Sequence, residues 1–258
     1  MMKLLVSDFD NTLRRNGEIS KEDFDAITKW QKQGNLFALC TGRYLSPLTG
    51  IENEPYCDYT LCCSGALIYE ANSNCISSIK GKNSDIALAY DYCKNFDIEG
   101  GIFRAFTEKG LFEYCDNQSF QKEYRDIGDF YQLGIAFTDE AAAIDFTKRA
   151  IEELNVVSIL RNGRWLDLPT SGVTKAKGIA LLAEILNIKK EDIFTVGDSM
   201  NDAHMVSEFT GFAMKNGSEL LKALATATVE SISELINNIN HSEASCSEAA
   251  LSLAAFSS

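Results

Sequence analysis

Histidine is nearly absent: the 258 residues contain only His204 and His241. They are too few and too far apart for a histidine metal site. Long apolar runs are missing too, and no stretch approaches the roughly 18 residues that a membrane span needs. The opening MMKLLVSDFD has only a few apolar residues before two aspartates, which is not the pattern of a signal peptide. None of the eight cysteines is spaced C-x-x-C, so a zinc ribbon or thioredoxin-type site has no support. They read as reduced cytosolic thiols used as small apolar side chains, with adjacent Cys62 and Cys63 in the core. Basic residues are in the minority: 24 Lys and Arg against 37 Asp and Glu give a net charge of −13. Such a chain repels phosphate backbones, which argues against nucleic-acid binding. It fits a protein that gathers carboxylates around a cation. A cytoplasmic protein without a membrane partner, either a monomer or a weak homodimer, is the expectation.

The apolar fraction is 45% and the charged fraction 24%, as in ordinary globular proteins. The length suits one to two domains. Short unbroken apolar runs at Lys3–Ser7, Leu36–Cys40, Tyr59–Cys63, Ile193–Val196 and Thr210–Met214 suit strands buried on both faces of a parallel sheet. Each ends in small or polar residues, where such a sheet places its ligand crevice. Ser20 to Gln33 reads as a helix with a serine cap and with Phe24, Ile27 and Trp30 on one side. Lys175 to Leu186 reads as another, with Ile179, Leu182, Ile185 and Leu186 on one face. Alternating strands and helices imply a doubly wound sheet.

The middle of the chain is different. Helix is predicted over 83–96, 119–126 and 138–153, and strand over 101–106, 110–115, 132–137, 155–160 and 164–168. Turns at Gly110 and Asn162-Gly163 make hairpins, so this sheet is predicted to be largely antiparallel. The expected organisation is a core of residues 1–79 and 170–240, an α+β insert of residues 80–169, and a frayed tail over 241–258. A core split by an insert leaves a crevice between two bodies, a common place for a small-molecule site.

The polar strand ends carry the chemistry. Asp8 and Asp10 alternate in an extended segment and can face one site. Taken alone, this D-x-D-x-T reads equally well as an aspartate-rich turn. Gly197-Asp198-Ser199-Met200-Asn201-Asp202 adds two more acids, although by itself it is also a glycine turn with a helix cap. Four such carboxylates would give hard oxygen ligands suited to Mg²⁺. Thr41-Gly42-Arg43 offers a hydroxyl and a helix-start amide for a phosphate oxygen, or a plain cap beside a solvated arginine. Lys175 could supply positive charge to a phosphoryl group, with Lys177 as a nearby competitor.

Taken together, DFDNTL, LCTGR, the lysine of GVTKAKGIALLAEIL, and VGDSMND resemble the four motifs of the haloacid dehalogenase superfamily of phosphohydrolases. The branch it most resembles is the Cof type, with a type IIB cap. The resemblance spans about residues 2–238, and the turn at Asn16-Gly17 is similar to the family's flap. It implies an α/β fold, a HAD-like doubly wound parallel sheet (a Rossmann-like core) with an inserted α+β cap domain. It also implies Asp8 as nucleophile, Asp10 as acid and then base, and Thr41 and Lys175 as holders of the phosphoryl oxygens. Asp8, the main-chain carbonyl of Asp10, and Asp198 would ligate Mg²⁺, with Asp202 as a ligand or a support behind them. Gly42, Arg43, Ser64, Gly65, Asn201 and Asn216 fall at family positions near the substrate, a small phosphorylated metabolite such as a sugar phosphate. Two residues depart from the pattern. Asn11 replaces a glycine, and Ser64 replaces an asparagine. The implied activity is a phosphatase; a phosphomannomutase-like mutase and an idle sugar-phosphate sensor are the alternatives. Arg104, Arg161 and Arg164 lie on predicted cap strands and are candidates to touch the leaving group.

Overall fold

The computed structural model describes residues 2–44, 57–71, 73–93, 96, 98–114, 124–155 and 157–241. The predicted tail beyond 241, Cys115, Cys246 and the start of the predicted helix 119–126 lie outside these residues. The chain opens with β1 (Leu4–Ser7), α1 (Lys21–Lys32), β2 (Leu36–Cys40), β3 (Tyr59–Cys62), β4 (Leu67–Glu70) and β5 (Cys75–Ser78). It continues through α2 (Asn83–Cys93), β6 (Ile98–Thr107), β7 (Gly110–Tyr114), β8 (Phe130–Phe137), α3 (Glu140–Glu153), β9 (Leu160–Asn162) and β10 (Trp165–Pro169). The rest is α4 (Lys175–Leu186), β11 (Ile193–Gly197), α5 (Ala203–Glu208), β12 (Thr210–Met214), α6 (Glu219–Lys222), β13 (Ala227–Val229) and α7, residues 232–241.

Eight strands form one sheet in the order β13-β12-β11-β1-β2-β3-β4-β5. β1 is central and parallel to both neighbours, with Ser7 opposite Leu39 on one side and Val196 on the other. Its unbroken apolar sequence has a simple cause. Leu5 packs with Trp30 and Phe37 on one face, while Leu4 and Val6 pack with Ile179 and Leu182 on the other. Both faces are covered, so no polar alternation is needed. The sheet is not wholly parallel: β4 and β5 extend it as antiparallel strands.

The two helices predicted in the core form, with corrected faces. The Ser20 hydroxyl caps α1 by accepting from the Asp23 amide. Trp30 and Ile27 are buried, but Phe24 is 38% exposed. The inward stripe is Asp23, Ile27 and Trp30, at steps of four and three, and it excludes Phe24. Asp23 is buried because it is partnered, accepting from the Ser233 amide and pairing with Arg15. On α4, Ile179 and Leu182 face the core, whereas Ile185 turns outward.

The second sheet is antiparallel, in the order β7-β6-β8-β10-β9. Phe103, Phe130, Phe137, Phe146, Leu166 and Leu168 share its core with α2 and α3. Strand alternation turns the intervening residues, Arg104, Phe106, Trp165 and Asp167, toward the other face. Two local predictions need correction. In place of strand 155–160, only Leu160–Asn162 pairs fully, and Val157 makes a lone bridge to Thr170. In place of helix 119–126, the described part is a single 3₁₀ turn, Tyr124–Asp126.

Candidate active site

The core sheet changes winding direction at β1, with β2 and β3 on one side and β11 and β12 on the other. At such a point the loops diverge and leave a crevice beyond the carboxyl ends of the strands. Asp8 stands there, its amide donating to the Val196 carbonyl at 2.9 Å. Lys175 begins α4, whose cap is the Thr174 hydroxyl. Its side chain is fully buried, with Nζ 2.6 Å from Asp8 Oδ1 and 2.6 Å from Asp202 Oδ1. The other Asp202 oxygen accepts from the amides of Asp198 (3.0 Å) and Ser199 (3.3 Å). Asp202 folds back so closely that a Cβ on Gly197 would lie 2.4 Å from its Cγ, which explains the glycine. Asp198 Oδ1 accepts from the Thr12 hydroxyl at 3.3 Å.

Electrostatics follow from this burial. Loss of solvent pushes the Asp8 carboxyl up to about 8, against the opposing pull of Lys175. Burial, reinforced by the charge of Asp202, raises Asp198 to about 6. Burial alone would lower the Lys175 ammonium, but Asp202 and Asp8 outweigh it and hold it well above its ordinary value. Carboxylate oxygens of Asp8, Asp198 and Asp202 lie within 4.8 Å of one another. Three carboxylates crowded beside one ammonium form a cluster short of positive charge, which together with burial is why protons are held there when no cation is bound. That donor set fits Mg²⁺.

The Asp10 carboxylate lines the same cavity as Asp8 but is not part of this trio. Arg43 grips its carboxylate with two hydrogen bonds, Nε to Oδ2 at 2.7 Å and Nη2 to Oδ1 at 2.6 Å. The same guanidinium lies 5.5 Å from the Phe9 ring centroid, which fixes the fork over the Asp8–Asp10 segment. The Thr41 hydroxyl accepts from the Arg43 amide at 3.1 Å. Asn11 adopts φ 59°, a left-handed conformation that asparagine tolerates well. Asn16 and Gly17 both have positive φ, and Arg15 and Glu18 exchange main-chain hydrogen bonds across them, as in a tight hairpin.

A cavity of about 630 Å³ opens beside these groups. Asp8, Asp10, Thr41, Gly42, Arg43 and Asn201 line the core end. Ser64, Gly65 and Asn216 do not reach its wall. Ser64 is buried with φ 57°, and Gly65 packs against Gly178 of α4, where a Cβ on Gly178 would lie 2.6 Å from the Gly65 Cα. Asn216 is exposed at the end of β12, although the following Ser218 amide donates to the Asp198 carbonyl at 2.7 Å.

The far end of the cavity comes from the second sheet: Arg104, Phe106, Leu111, Glu113, Asn162, Trp165 and Asp167. Of the three arginines predicted there, Arg104 reaches it. Arg161 instead pairs with Glu140. The Arg164 guanidinium lies 5.4 Å from the Trp165 ring centroid and does not line the cavity. Trp165 and Asp167 were not among the predicted residues. Their signal was the alternation of Trp165-Leu166-Asp167-Leu168, which sends both leucines to the core and the other two side chains into the crevice. Asp167 lies against Gly42, where a Cβ would meet its Oδ2 at 2.1 Å. Burial raises its carboxyl to about 7. Gln132 on β8 donates to the Gly42 carbonyl at 2.7 Å, so both sheets meet at that glycine.

A doubly wound α/β core with an α+β insert over its strand ends defines a hydrolase of the haloacid dehalogenase class. Residues 5–236 match the haloacid dehalogenase-like hydrolase family, and the chain belongs to it. It is 30% identical to phosphoglycolate phosphatase 1 of Saccharolobus solfataricus, over 87% of this chain and 88% of that protein. It is 25% identical to the 5-amino-6-(5-phospho-D-ribitylamino)uracil phosphatase of Bacillus subtilis, again over 87% and 88% of the two chains. In fold it is similar to a phosphatase of the same superfamily from Bacteroides thetaiotaomicron. That similarity has a TM-score of 0.76 at 24% identity and covers 93% of this chain and 95% of the other.

Proposed function

We propose that this phosphoric monoester hydrolase acts on a small phosphorylated metabolite through an aspartyl-phosphate on Asp8, with Mg²⁺ as its cofactor. An ionised Asp8 attacks phosphorus, and the bond to the leaving oxygen breaks. Asp10 gives that oxygen a proton. Asp10 then takes a proton from water as the water attacks the same phosphorus, which frees Asp8 and inorganic phosphate. Thr41 and Lys175 steady the phosphoryl oxygens. Asp8, Asp198 and the Asp10 main-chain carbonyl would hold the metal, with Asp202 behind them. Bound Mg²⁺ supplies positive charge to the phosphoryl group. The insert, residues 80–169, serves as the cap over the leaving group.

The observation that carries this reading is the buried Lys175 ammonium, 2.6 Å from both Asp8 and Asp202, with Asp198 alongside. Neither the mutase nor the sensor alternative is favoured by any observation. The test is phosphate release from a panel of esters with Mg²⁺, with EDTA and Asp8→Asn as controls. The panel includes phosphoglycolate and 5-amino-6-(5-phospho-D-ribitylamino)uracil, taken from the names of the two relatives. It also includes hexose, pentose and nucleotide phosphates. Release abolished by both controls supports the reading. Release that survives either control overturns it.

A further inference from the structure

The far end of the cavity is built for something other than a phosphate. Trp165 is 45% exposed and Leu111 46% exposed, and both turn their apolar surface into the cavity. Together they give the cavity an apolar surface that a ligand can cover. The floor beside it is made of small residues. Across the strand pair, Trp165 stands opposite Ala136 and Asp167 opposite Gly134. These leave a shallow hollow of about 50 Å³ bordered by Phe106 and the indole. Tyr44 on the core and Phe106 on the insert stack with ring centroids 5.7 Å apart, giving a second aromatic wall.

Charge at this end discriminates further. Arg104 is engaged by Glu113 at 2.7 Å and lies 5.7 Å from the Trp165 ring centroid. Glu113 and Asp167 are the acidic groups of this end, and Arg104 is the cation among its lining residues. No net positive charge is left here for a carboxylate or a second phosphate. The total volume, about 630 Å³, falls within the roughly 300–1,000 Å³ of sites that enclose drug-sized ligands. A two-carbon or five-carbon leaving group would leave much of it wet.

We propose that the preferred substrate is a phosphate monoester whose leaving group ends in a planar, uncharged ring, stacked on Trp165 and walled by Phe106 and Leu111. This rests on the phosphatase reading above and deepens it. Asn162, which also lines this end, offers hydrogen bonds to the edge of such a ring.

The test separates ring binding from turnover by using the Asp8→Asn enzyme with Mg²⁺. Calorimetry compares flavin mononucleotide, which carries a ring, with ribose 5-phosphate, which has no planar ring. Tryptophan emission is followed in parallel. Trp30 is wholly buried and present in every variant, so the part of the ligand-dependent change that is lost in Trp165→Phe is assigned to Trp165. Flavin mononucleotide is expected to bind at least about tenfold tighter, in line with a stacked base. Trp165→Leu in that background is expected to remove most of the preference, and Trp165→Phe to retain it. Equal affinities, or a preference unchanged by Trp165→Leu, overturn the proposal. If the wild type releases phosphate from ribose 5-phosphate while flavin mononucleotide goes unbound, the ring proposal alone falls. If no ester is hydrolysed but flavin mononucleotide still binds through Trp165, the phosphatase reading falls and the ring site stands.

Discussion

Asp8 and Lys175 depend on each other. Lys175 is a buried cation shared by two carboxylates, and removing one member of a buried group of charges leaves the others uncompensated. Lys175→Met is therefore expected to destabilise the protein by about 3–5 kcal/mol. For a chain of this size that lowers Tm by on the order of 10 °C, measurable by thermal unfolding. Adding Asp8→Asn to Lys175→Met should restore part of the loss, because one fewer buried charge then lacks a partner. An additive double variant would contradict the coupling. Asp8→Asn alone keeps the shape and one oxygen acceptor, so the fold should hold while turnover falls at least about a thousandfold. The D-x-D, Thr-Gly-Arg, lysine and G-D-x-x-x-D patterns were legible because each side chain stands at a strand end or helix start. The grip of Arg43 on Asp10 was not. It depends on where the chain after β2 passes relative to the chain after β1, and no local spacing encodes that.

Loops and strands explain the rest of what could and could not be read. β1, β2, β3, β11 and β12 announce themselves as unbroken apolar runs because both of their faces are covered. β4, β5 and β13 were missed because LIYE, CISS and ATV are three- and four-residue segments at or near the sheet edges. The turn from β11 into α5 carries a prediction of its own. Asp198, like Asp8, has a folded-state carboxyl raised above its unfolded value. The native state then binds more protons than the unfolded state between those values. The stability contribution of these two groups is full below about pH 4 and is lost as pH rises through about 6 for Asp198 and about 8 for Asp8. In EDTA, Tm should therefore carry a falling component from pH 5 to pH 8, flattened in Asp198→Asn. At the proposed site Mg²⁺ would take the place of the protons, so its stabilisation should be larger at pH 8 than at pH 5. A Mg²⁺ shift that shrinks with rising pH would count against the carboxylate site.

As a whole, the protein is two sheets meeting over one crevice, and Gly42 is one of their points of contact. Gln132 holds its carbonyl and Asp167 occupies the space of its absent Cβ. Gly42→Ala should push Asp167 and β10 away from the core. The expected result is a 10- to 100-fold loss in kcat/KM, mostly through KM, with little change in Tm. A loss confined to kcat would place the damage at the carboxylates instead. The far wall was beyond sequence reading because Arg104, Trp165 and Asp167 are ordinary strand residues until the insert folds back over Asp8. The proposed phosphorylated aspartate can be trapped directly. The Asp10→Asn enzyme, mixed with Mg²⁺ and an ester that the wild type hydrolyses, is quenched in acid and mapped by peptide mass spectrometry. The prediction is one added phosphoryl group, on Asp8. An active wild type, with a variant that turns over unimpaired and carries no phosphoryl group on Asp8, would contradict it.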